Sequence, residues 1–181
     1  MKTDTLFLAV MVFLVVYWEV AFDGVRRLLG VQVDLLPSLM VYAGLTQGIG
    51  GVTLVAVAGG LLLDAVSANP LAVSVGPLFL AGLVVHLARE LVVRDQPFAQ
   101  AVMGAAAGFG SSLLVLLLLL TLGETPILGW GTLWQMAVLT IGSAVSAPLW
   151  FVCFGWLNRT FAYRRAPETT FRSDREIRRG R

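Results

Sequence analysis

The sequence predicts an all-α integral membrane protein: a bundle of about six transmembrane helices, of which the second is short. Of its 181 residues, 57% are hydrophobic and only 13% are charged, and the mean hydropathy is +0.83. Soluble domains carry about 25% charged residues, so a chain this apolar is typical of a membrane protein. Its uncharged stretches are also long enough to cross a bilayer, which takes about 20 apolar residues in a helix.

These stretches define the helices. The second stretch, residues 35–63, is too long for one untilted helix, and a glycine cluster near its middle divides it into a short helix of about residues 36–46 and a full one of about residues 49–65. Asp34 favours a helix start at this point, because a short acidic side chain caps free amides and Pro37 is tolerated in the first turn. In chain order, the five stretches are residues 5–18, 35–63, 65–88, 96–123 and 125–158.

The other stretches each predict one helix. The last one begins with a turn that contains Pro126, Gly129 and Gly131, so its helix is expected at about residues 133–157. The first one resembles the apolar core of a signal peptide, but no Ala-x-Ala cleavage site follows it, and we expect a retained helix.

Positive charge is concentrated at the C-terminus. Eight of the 13 Lys and Arg residues lie from Arg159 onward, with three of the 11 acidic residues, so this tail has a net charge of +5 and the rest of the chain −3. We therefore divide the chain into a transmembrane helical domain, residues 1–158, and a basic tail, residues 159–181. Beside apolar spans, such a tail indicates a cytoplasmic segment that faces anionic lipid, rather than a segment that binds nucleic acid.

The number of crossings is open between five and six. With six crossings and a cytoplasmic tail, Lys2 lies inside and Arg26 and Arg27 lie outside. If the short second helix is re-entrant, five crossings place both arginines inside, which the distribution of positive charge slightly prefers.

Ionisable residues inside apolar segments are the first functional candidates, because burying charge in lipid is expensive. They are Glu19, Asp64 and His86. An interfacial position explains Glu19 and His86. Asp64 either lies at headgroup level, satisfied by Ser67 or Asn69, or faces inward to fix helix packing or a partner contact. An acidic residue is unfavourable at the C-terminal end of its own helix, which favours the second interpretation.

The chain carries no motif of an enzyme. One histidine and one cysteine, Cys153, leave no metal cluster, and neither a dinucleotide-binding fingerprint nor a P-loop occurs. We expect no catalytic activity and no cofactor, and we interpret Cys153 as a small apolar side chain.

Small residues four positions apart predict close helix packing. They occur at Gly44 and Gly48, at Ala56 and Gly60, and at Gly104 and Gly108. If one helix runs unbroken through them, Gly48, Ala56, Gly60 and Asp64 share a face. Tight internal packing and a partner interface are both open interpretations of this face.

Residues 34–89 resemble the MreD family of rod-shape-determining membrane proteins. The helix that starts at Pro37 carries the Val41-Tyr42 pair and a following Leu45, and the segment from Gly60 reads Gly-x-x-x-Asp-x-x-Ser-x-x-Pro-Leu, with Asp64 and Pro70 in the family's places. The family usually continues with Gly after Pro-Leu, where this chain has Ala72. The next helix ends in Arg89, as the family's often does.

The resemblance implies a protein of the bacterial cytoplasmic (inner) membrane with about six helices, similar to the substrate-binding subunits of energy-coupling-factor transporters. For this reason we favour six crossings. It implies a non-catalytic scaffold of the cell-elongation complex, whose partners are an MreC-like single-span protein and, directly or through it, a RodA-like glycosyltransferase and a class B penicillin-binding protein that act in peptidoglycan synthesis. The candidate partner or packing face then comprises Tyr42, Gly48, Ala56, Gly60, Asp64 and Pro70.

Two other functions remain open. A substrate-binding subunit of an energy-coupling-factor vitamin transporter needs polar and aromatic groups that converge on an outer pocket. The outer loops offer only Asn69, Glu124 and Trp130 for this purpose. An intramembrane enzyme is disfavoured, because the acidic residues do not pair at helical spacing inside any span.

Overall fold

The structure is a computed structural model that describes residues 2–21, 30–31, 33–67, 70–90, 96–123 and 129–162. These residues form helices joined by turns and short irregular segments, as predicted for an all-α protein. The helices are α1 (Lys2–Ala21), α2 (Leu36–Thr46), α3 (Ile49–Val66), α4 (Val75–Ala88), α5 (Pro97–Thr121) and α6 (Trp130–Ala162).

The predicted membrane character is confirmed in its coarse form. Three helices are long and apolar enough to cross a membrane, namely Ile49–Val66, Pro97–Thr121 and the Trp130–Leu157 part of α6. The segments Thr5–Ala21, Leu36–Thr46 and Val75–Ala88 are apolar but shorter. At a rise of about 1.5 Å per residue, α2 spans only about 16 Å. The short second helix has the predicted bounds.

Polar contacts show that consecutive helices reverse direction. The Leu35 amide donates to Glu19 Oε1, so α2 begins where α1 finishes. His86 Nδ1 lies 3.2 Å from the Gly44 carbonyl oxygen, so α4 finishes beside the end of α2. We call the end of the bundle where α1 begins the first end, and the end where it finishes the second end. The helices α2, α4 and α6 run from the second end to the first.

The core is built around α2. Every residue from Leu36 to Leu45 is buried, because α1, α3, α4, α5 and α6 all pack against this helix. Leu8 and Val12 of α1, Val52 and Val55 of α3 and Phe154 of α6 belong to the same apolar cluster. A short helix surrounded by longer ones has no face for lipid, and its sequence is accordingly apolar all round.

The helices α5 and α6 form a hairpin held by small residues. A Cβ added to Gly104 would lie 2.4 Å from the Ser143 carbonyl oxygen, and one added to Gly108 would lie 2.6 Å from Ser143 Oγ. Both glycines are therefore required by the close approach of the two backbones. The helix α6 begins at Trp130, three residues before the predicted position, because Gly131 is accommodated within the first turn.

The predicted common face along α3 does not form as one stripe. Gly48 precedes the helix with φ +74°, so the helix begins at Ile49 and does not run through Gly48. Residues Val55–Gly59 then form a turn of π-helix, which inserts extra residues between Val52 and Gly60. Ala56, Gly60 and Asp64 remain buried on the inner side of α3.

Candidate functional site

Asp64 joins the end of α3 to the start of α4. Its side chain is 2% exposed. Oδ2 accepts a hydrogen bond of 3.0 Å from the Ser74 amide, and Oδ1 accepts one of 2.5 Å from the Ser74 hydroxyl. The carboxylate therefore lies at the N-terminal end of α4, where the free amides and the helix dipole favour negative charge. This arrangement offsets the unfavourable position of Asp64 at the end of its own helix.

The partner of Asp64 differs from the two residues considered in the sequence. Ser67 donates its hydroxyl to the backbone carbonyl of Asp64, at 3.4 Å, and not to the carboxylate. Asn69 lies outside the described residues. Ser74 is ten positions from Asp64, and only the course of the turn between them brings the two side chains together.

Gly60 lies one turn before Asp64 and faces the same junction. A Cβ built on Gly60 would lie 2.8 Å from Val75 Cγ2 and 2.9 Å from the Val75 backbone nitrogen and Cα. Any larger residue would therefore press against the backbone of α4. Gly60 and Asp64 together fix how closely α3 and α4 approach at the second end.

Glu19 and Asp34 hold the start of α2. Glu19 Oε1 accepts the Leu35 amide, and Asp34 Oδ1 accepts the Leu36 amide at 2.8 Å. As predicted, Asp34 caps a free amide at the start of α2, although Leu35 and not Asp34 is the N-cap residue. An interfacial position is not sufficient for Glu19, because its carboxyl turns inward to an amide that the helix leaves free. Glu19 Oε2 is buried and has no hydrogen-bond partner within the described part of the chain.

Tyr42 lies in an aromatic cluster with α6. Its ring stacks on Phe154 at a centroid distance of 4.1 Å and meets the edge of Phe151 at 5.2 Å. One turn earlier in α2, Ser38 accepts a 2.9 Å hydrogen bond from Trp150 Nε1 and donates to the Leu35 carbonyl. The inner surface of α6 is therefore matched to α2 by ring packing and by a buried polar contact.

The remaining predicted residues lie apart from this junction. Gly48 is at the first end, where its Cβ position lies 3.7 Å from His86 Cε1. Pro70 is exposed in the turn between α3 and α4, two residues before Ala72. Ala72 has φ +71°, a conformation that glycine adopts freely and other L-residues adopt at a cost. The structure thus brings together Ala56, Gly60 and Asp64 on α3, but not Gly48 or Pro70.

A cavity of about 890 Å³ lies at the second end. One wall is formed by the α5–α6 hairpin, over residues 111–119 and 129–139. The opposite wall is formed by the ends of the other helices, including Leu63, Ser74 and Leu78, and by Asp34. No sequence pattern marks this space, because residues of several helices form it together through packing.

Asp34 is the one charged side chain among the described residues that line this cavity. Burial, with a smaller effect of the negative charge of nearby Asp64, raises the pKa of the Asp34 carboxyl to about 6, against the lowering effect of the Leu36 amide bond. The described lining contains no Lys, Arg or His. The cavity therefore offers a carboxylate, hydroxyl groups and the Gln135 amide in a mostly apolar surface.

Within the described ranges, no three His, Cys, Asp or Glu side chains are arranged to hold a metal ion. Cys153 is half-buried and free. Glu19, Asp34 and Asp64 instead use their oxygens to satisfy backbone amides at helix starts, which is a structural use of buried carboxylates.

Comparison with protein-family models, with curated proteins and with solved structures found no match to this chain. Its function is therefore inferred from its own residues and from their packing.

Proposed function

We propose that this chain is a non-catalytic membrane subunit of the bacterial cell-elongation complex, similar in role to MreD. In this function it scaffolds an MreC-like single-span protein and, directly or through it, a RodA-like glycosyltransferase and a class B penicillin-binding protein. It resides in the bacterial cytoplasmic membrane with six crossings and a cytoplasmic C-terminus.

The observation that carries the proposal is the use made of Asp64. The segment that resembles the MreD family, residues 34–89, forms α2, α3 and α4 at the centre of the bundle. The carboxylate of Asp64 is the group in this segment that most suggests catalysis. It is 2% exposed and accepts hydrogen bonds from the Ser74 amide and hydroxyl. A group used in this way positions helices, which supports a scaffold rather than a catalyst.

The alternation of the helices supports six crossings. Each helix begins at the end where the previous one finishes, and this includes the short α2. Six such segments place the start of α1 and the finish of α6 on the same side. With the basic tail in the cytoplasm, Arg89 also lies on the cytoplasmic side, in agreement with the distribution of positive charge in most membrane proteins.

Depletion in a rod-shaped host tests the proposal. Loss of the protein, verified by immunoblot, should yield round or swollen cells in which new peptidoglycan, labelled with a fluorescent D-amino acid, is mislocalised. Wild-type protein supplied from a plasmid should restore rods. Normal rods after verified depletion would contradict the proposal.

A substrate-binding subunit of a vitamin transporter is the second candidate, and the cavity at the second end favours it. A volume of about 890 Å³ lies within the range of small-molecule sites, about 300–1,000 Å³. Depletion should then reduce uptake of a vitamin while the cells remain rods. The same depletion strain therefore separates the two functions.

A further inference from the structure

The cavity at the second end has lining groups that restrict what it can hold. Its walls are mostly apolar, with Leu116 and Leu119 of α5 facing Leu63 and Leu78 of the bundle. A fully polar ligand would leave these surfaces uncompensated, whereas an apolar body buries them. The occupant must therefore carry an apolar portion.

The polar groups of the cavity are mainly acceptors. Ser111 and Ser112 both donate their hydroxyl hydrogens to the Gly108 carbonyl, and Ser74 donates its hydrogen to Asp64. Their oxygens keep lone pairs but have no further hydrogen to give. Asp34 accepts through both oxygens when it is ionised, and only one of them is bonded to the Leu36 amide. Gln135, which is exposed, also lines the cavity and carries amide donors.

The charge of the cavity also favours a ligand with a cationic group. Asp34 lies in the cavity wall, and the charge of the Asp64 carboxylate, at the end of α3, acts on it. The described lining contains no basic side chain to balance them. Negative potential in a low-dielectric recess attracts cationic groups and disfavours ligands with a net negative charge.

We propose that this cavity binds an amphiphile that carries a primary ammonium group on an apolar body. An ammonium group is a cation with three donors and no acceptor, which complements the Asp34 carboxylate and the hydroxyl oxygens that line the same cavity. The apolar body lies against the leucines of α5 and of the bundle. Two sources share this chemistry: the headgroup of an aminophospholipid such as phosphatidylethanolamine, and a free organic amine.

Binding is measured on the purified full-length protein in a non-ionic detergent, in phosphate buffer at pH 7.5 without any amine. The protein is incubated with equal amounts of phosphatidylethanolamine, phosphatidylcholine and phosphatidylglycerol and is separated by gel filtration, and the retained lipids are quantified by mass spectrometry. A second arm titrates hexylammonium, with hexanol as its uncharged counterpart.

Variants that remove the charge or fill the cavity test the site. Asp34→Asn keeps an oxygen for the Leu36 amide and removes the charge, so retention of the ammonium ligand should fall roughly tenfold, as expected for the loss of one charged hydrogen bond. Leu116→Trp fills the cavity and should abolish retention. Leu117→Trp is its matched control, because Leu117 is exposed on the same helix and does not line the cavity. Leu139→Trp, on the α6 wall, replaces Leu116→Trp if that variant is not monodisperse.

Selective retention of phosphatidylethanolamine that hexylammonium competes away supports the proposal with the lipid as source. Binding of hexylammonium without lipid retention, lost in Asp34→Asn, supports it with a free amine as source. Equal retention of all three lipids, or binding that is unchanged in both Asp34→Asn and the cavity-filling variant, overturns it. The proposal does not depend on the cell-elongation function, which is decided by cell shape and not by ligand binding.

Discussion

Asp64 at the end of α3 accepts two hydrogen bonds from Ser74 at the start of α4, one from the amide and one from the hydroxyl. Nine residues separate the two in the chain, and their contact joins α3 to α4 at the second end of the bundle. It also places a negative charge where α4 has its free amides, so one side chain satisfies the requirements of two helices.

Removing this carboxylate should destabilise the protein. Asp64→Ala leaves the buried Ser74 amide and hydroxyl without an acceptor, and an unsatisfied buried polar group costs about 1–3 kcal/mol. Ser74→Ala keeps the amide bond and should lower the free energy of unfolding by less. Hydrogen bonds in membrane proteins contribute about 0.6 kcal/mol on average, which is less than this cost. The informative quantity is therefore the difference in the free energy of unfolding between the two variants, and not either value alone.

Thermal unfolding in detergent measures the order of stability of wild type, Ser74→Ala and Asp64→Ala. Asp64→Asn keeps the size of the side chain and one acceptor oxygen, and it should lie between wild type and Asp64→Ala. If Ser74→Ala destabilises the protein more than Asp64→Ala does, the carboxylate does not organise the junction.

Gly60 should tolerate no side chain. A leucine there would meet the Val75 backbone, which cannot rotate away, so α4 would have to move. Overpacking of this kind costs typically 1–3 kcal/mol in well-packed cores. Detergent-extracted yield should fall in Gly60→Leu, as should co-purification of the tagged MreC-like partner that the proposed function requires.

The matched control is Gly50→Ala, on the same helix, because nothing lies within 4 Å of a Cβ at Gly50. This variant should fold and bind the partner as wild type does. If Gly60→Leu does so as well, the Gly60 face is not a packing surface.

The bounds of the helices could be predicted from the sequence, because each bound is set by residues close to it in the chain. Uncharged stretches end at charged residues, Gly48 interrupts the second of them, and Asp34 marks the start of α2 beside Pro37. These signals depend on solvation in lipid and on backbone conformation within a few residues. They required no knowledge of how the helices pack, and α2 accordingly has the predicted bounds.

The contacts between helices could not be predicted in the same way. Ser74 has no local feature that marks it as the partner of Asp64, and Glu19 reaches an amide sixteen positions away. The π-helical turn in α3 changes which residues share a face, and an α-helical register takes no account of it. The cavity is formed by residues of several helices together, which is a property of packing alone.

Topology can be determined with reporter fusions. A reporter after Arg165 and one placed between Ser67 and Asn69 should report opposite sides of the membrane, because Arg-rich flanks resist translocation. A third fusion just after Arg27 separates the two crossing counts: outside for six and inside for five. If the first two fusions report the same side, the helix count is wrong.

Ligand retention by the cavity should depend on pH. The pKa of Asp34 is raised to about 6, so its carboxyl is ionised above this pH and neutral below it. An ammonium group pairs with the ionised form, and retention should therefore fall as the pH is lowered from 7.5 through 6 to 5. Asp34→Asn should give weak retention at every pH. A wild-type profile that is flat over this interval would exclude Asp34 as the group that binds the cation.

At Ala72, in contrast to the positions above, a substitution should stabilise the protein. Its φ of +71° lies in the left-handed region, where an L-residue is disfavoured by roughly 1–2 kcal/mol. The MreD family, which residues 34–89 resemble, usually has Gly after Pro-Leu where this chain has Ala72, and glycine adopts this conformation without steric cost. Part of the gain is lost because glycine is also freer in the unfolded chain. Ala72→Gly should therefore raise the free energy of unfolding by about 0.5–1 kcal/mol.

An Ala-to-Gly substitution inside a helix should instead destabilise the protein. Ala65 is exposed in α3 and helical, so Ala65→Gly should lower the free energy of unfolding by about 1 kcal/mol. Both variants are compared with wild type by thermal unfolding in the same detergent. Because Ala72 lies between Asp64 and Ser74 in the chain, relief of strain there should also stabilise the junction, and the gain should shrink in an Asp64→Ala background. If Ala72→Gly and Ala65→Gly destabilise the protein equally, the turn does not require a left-handed residue at position 72.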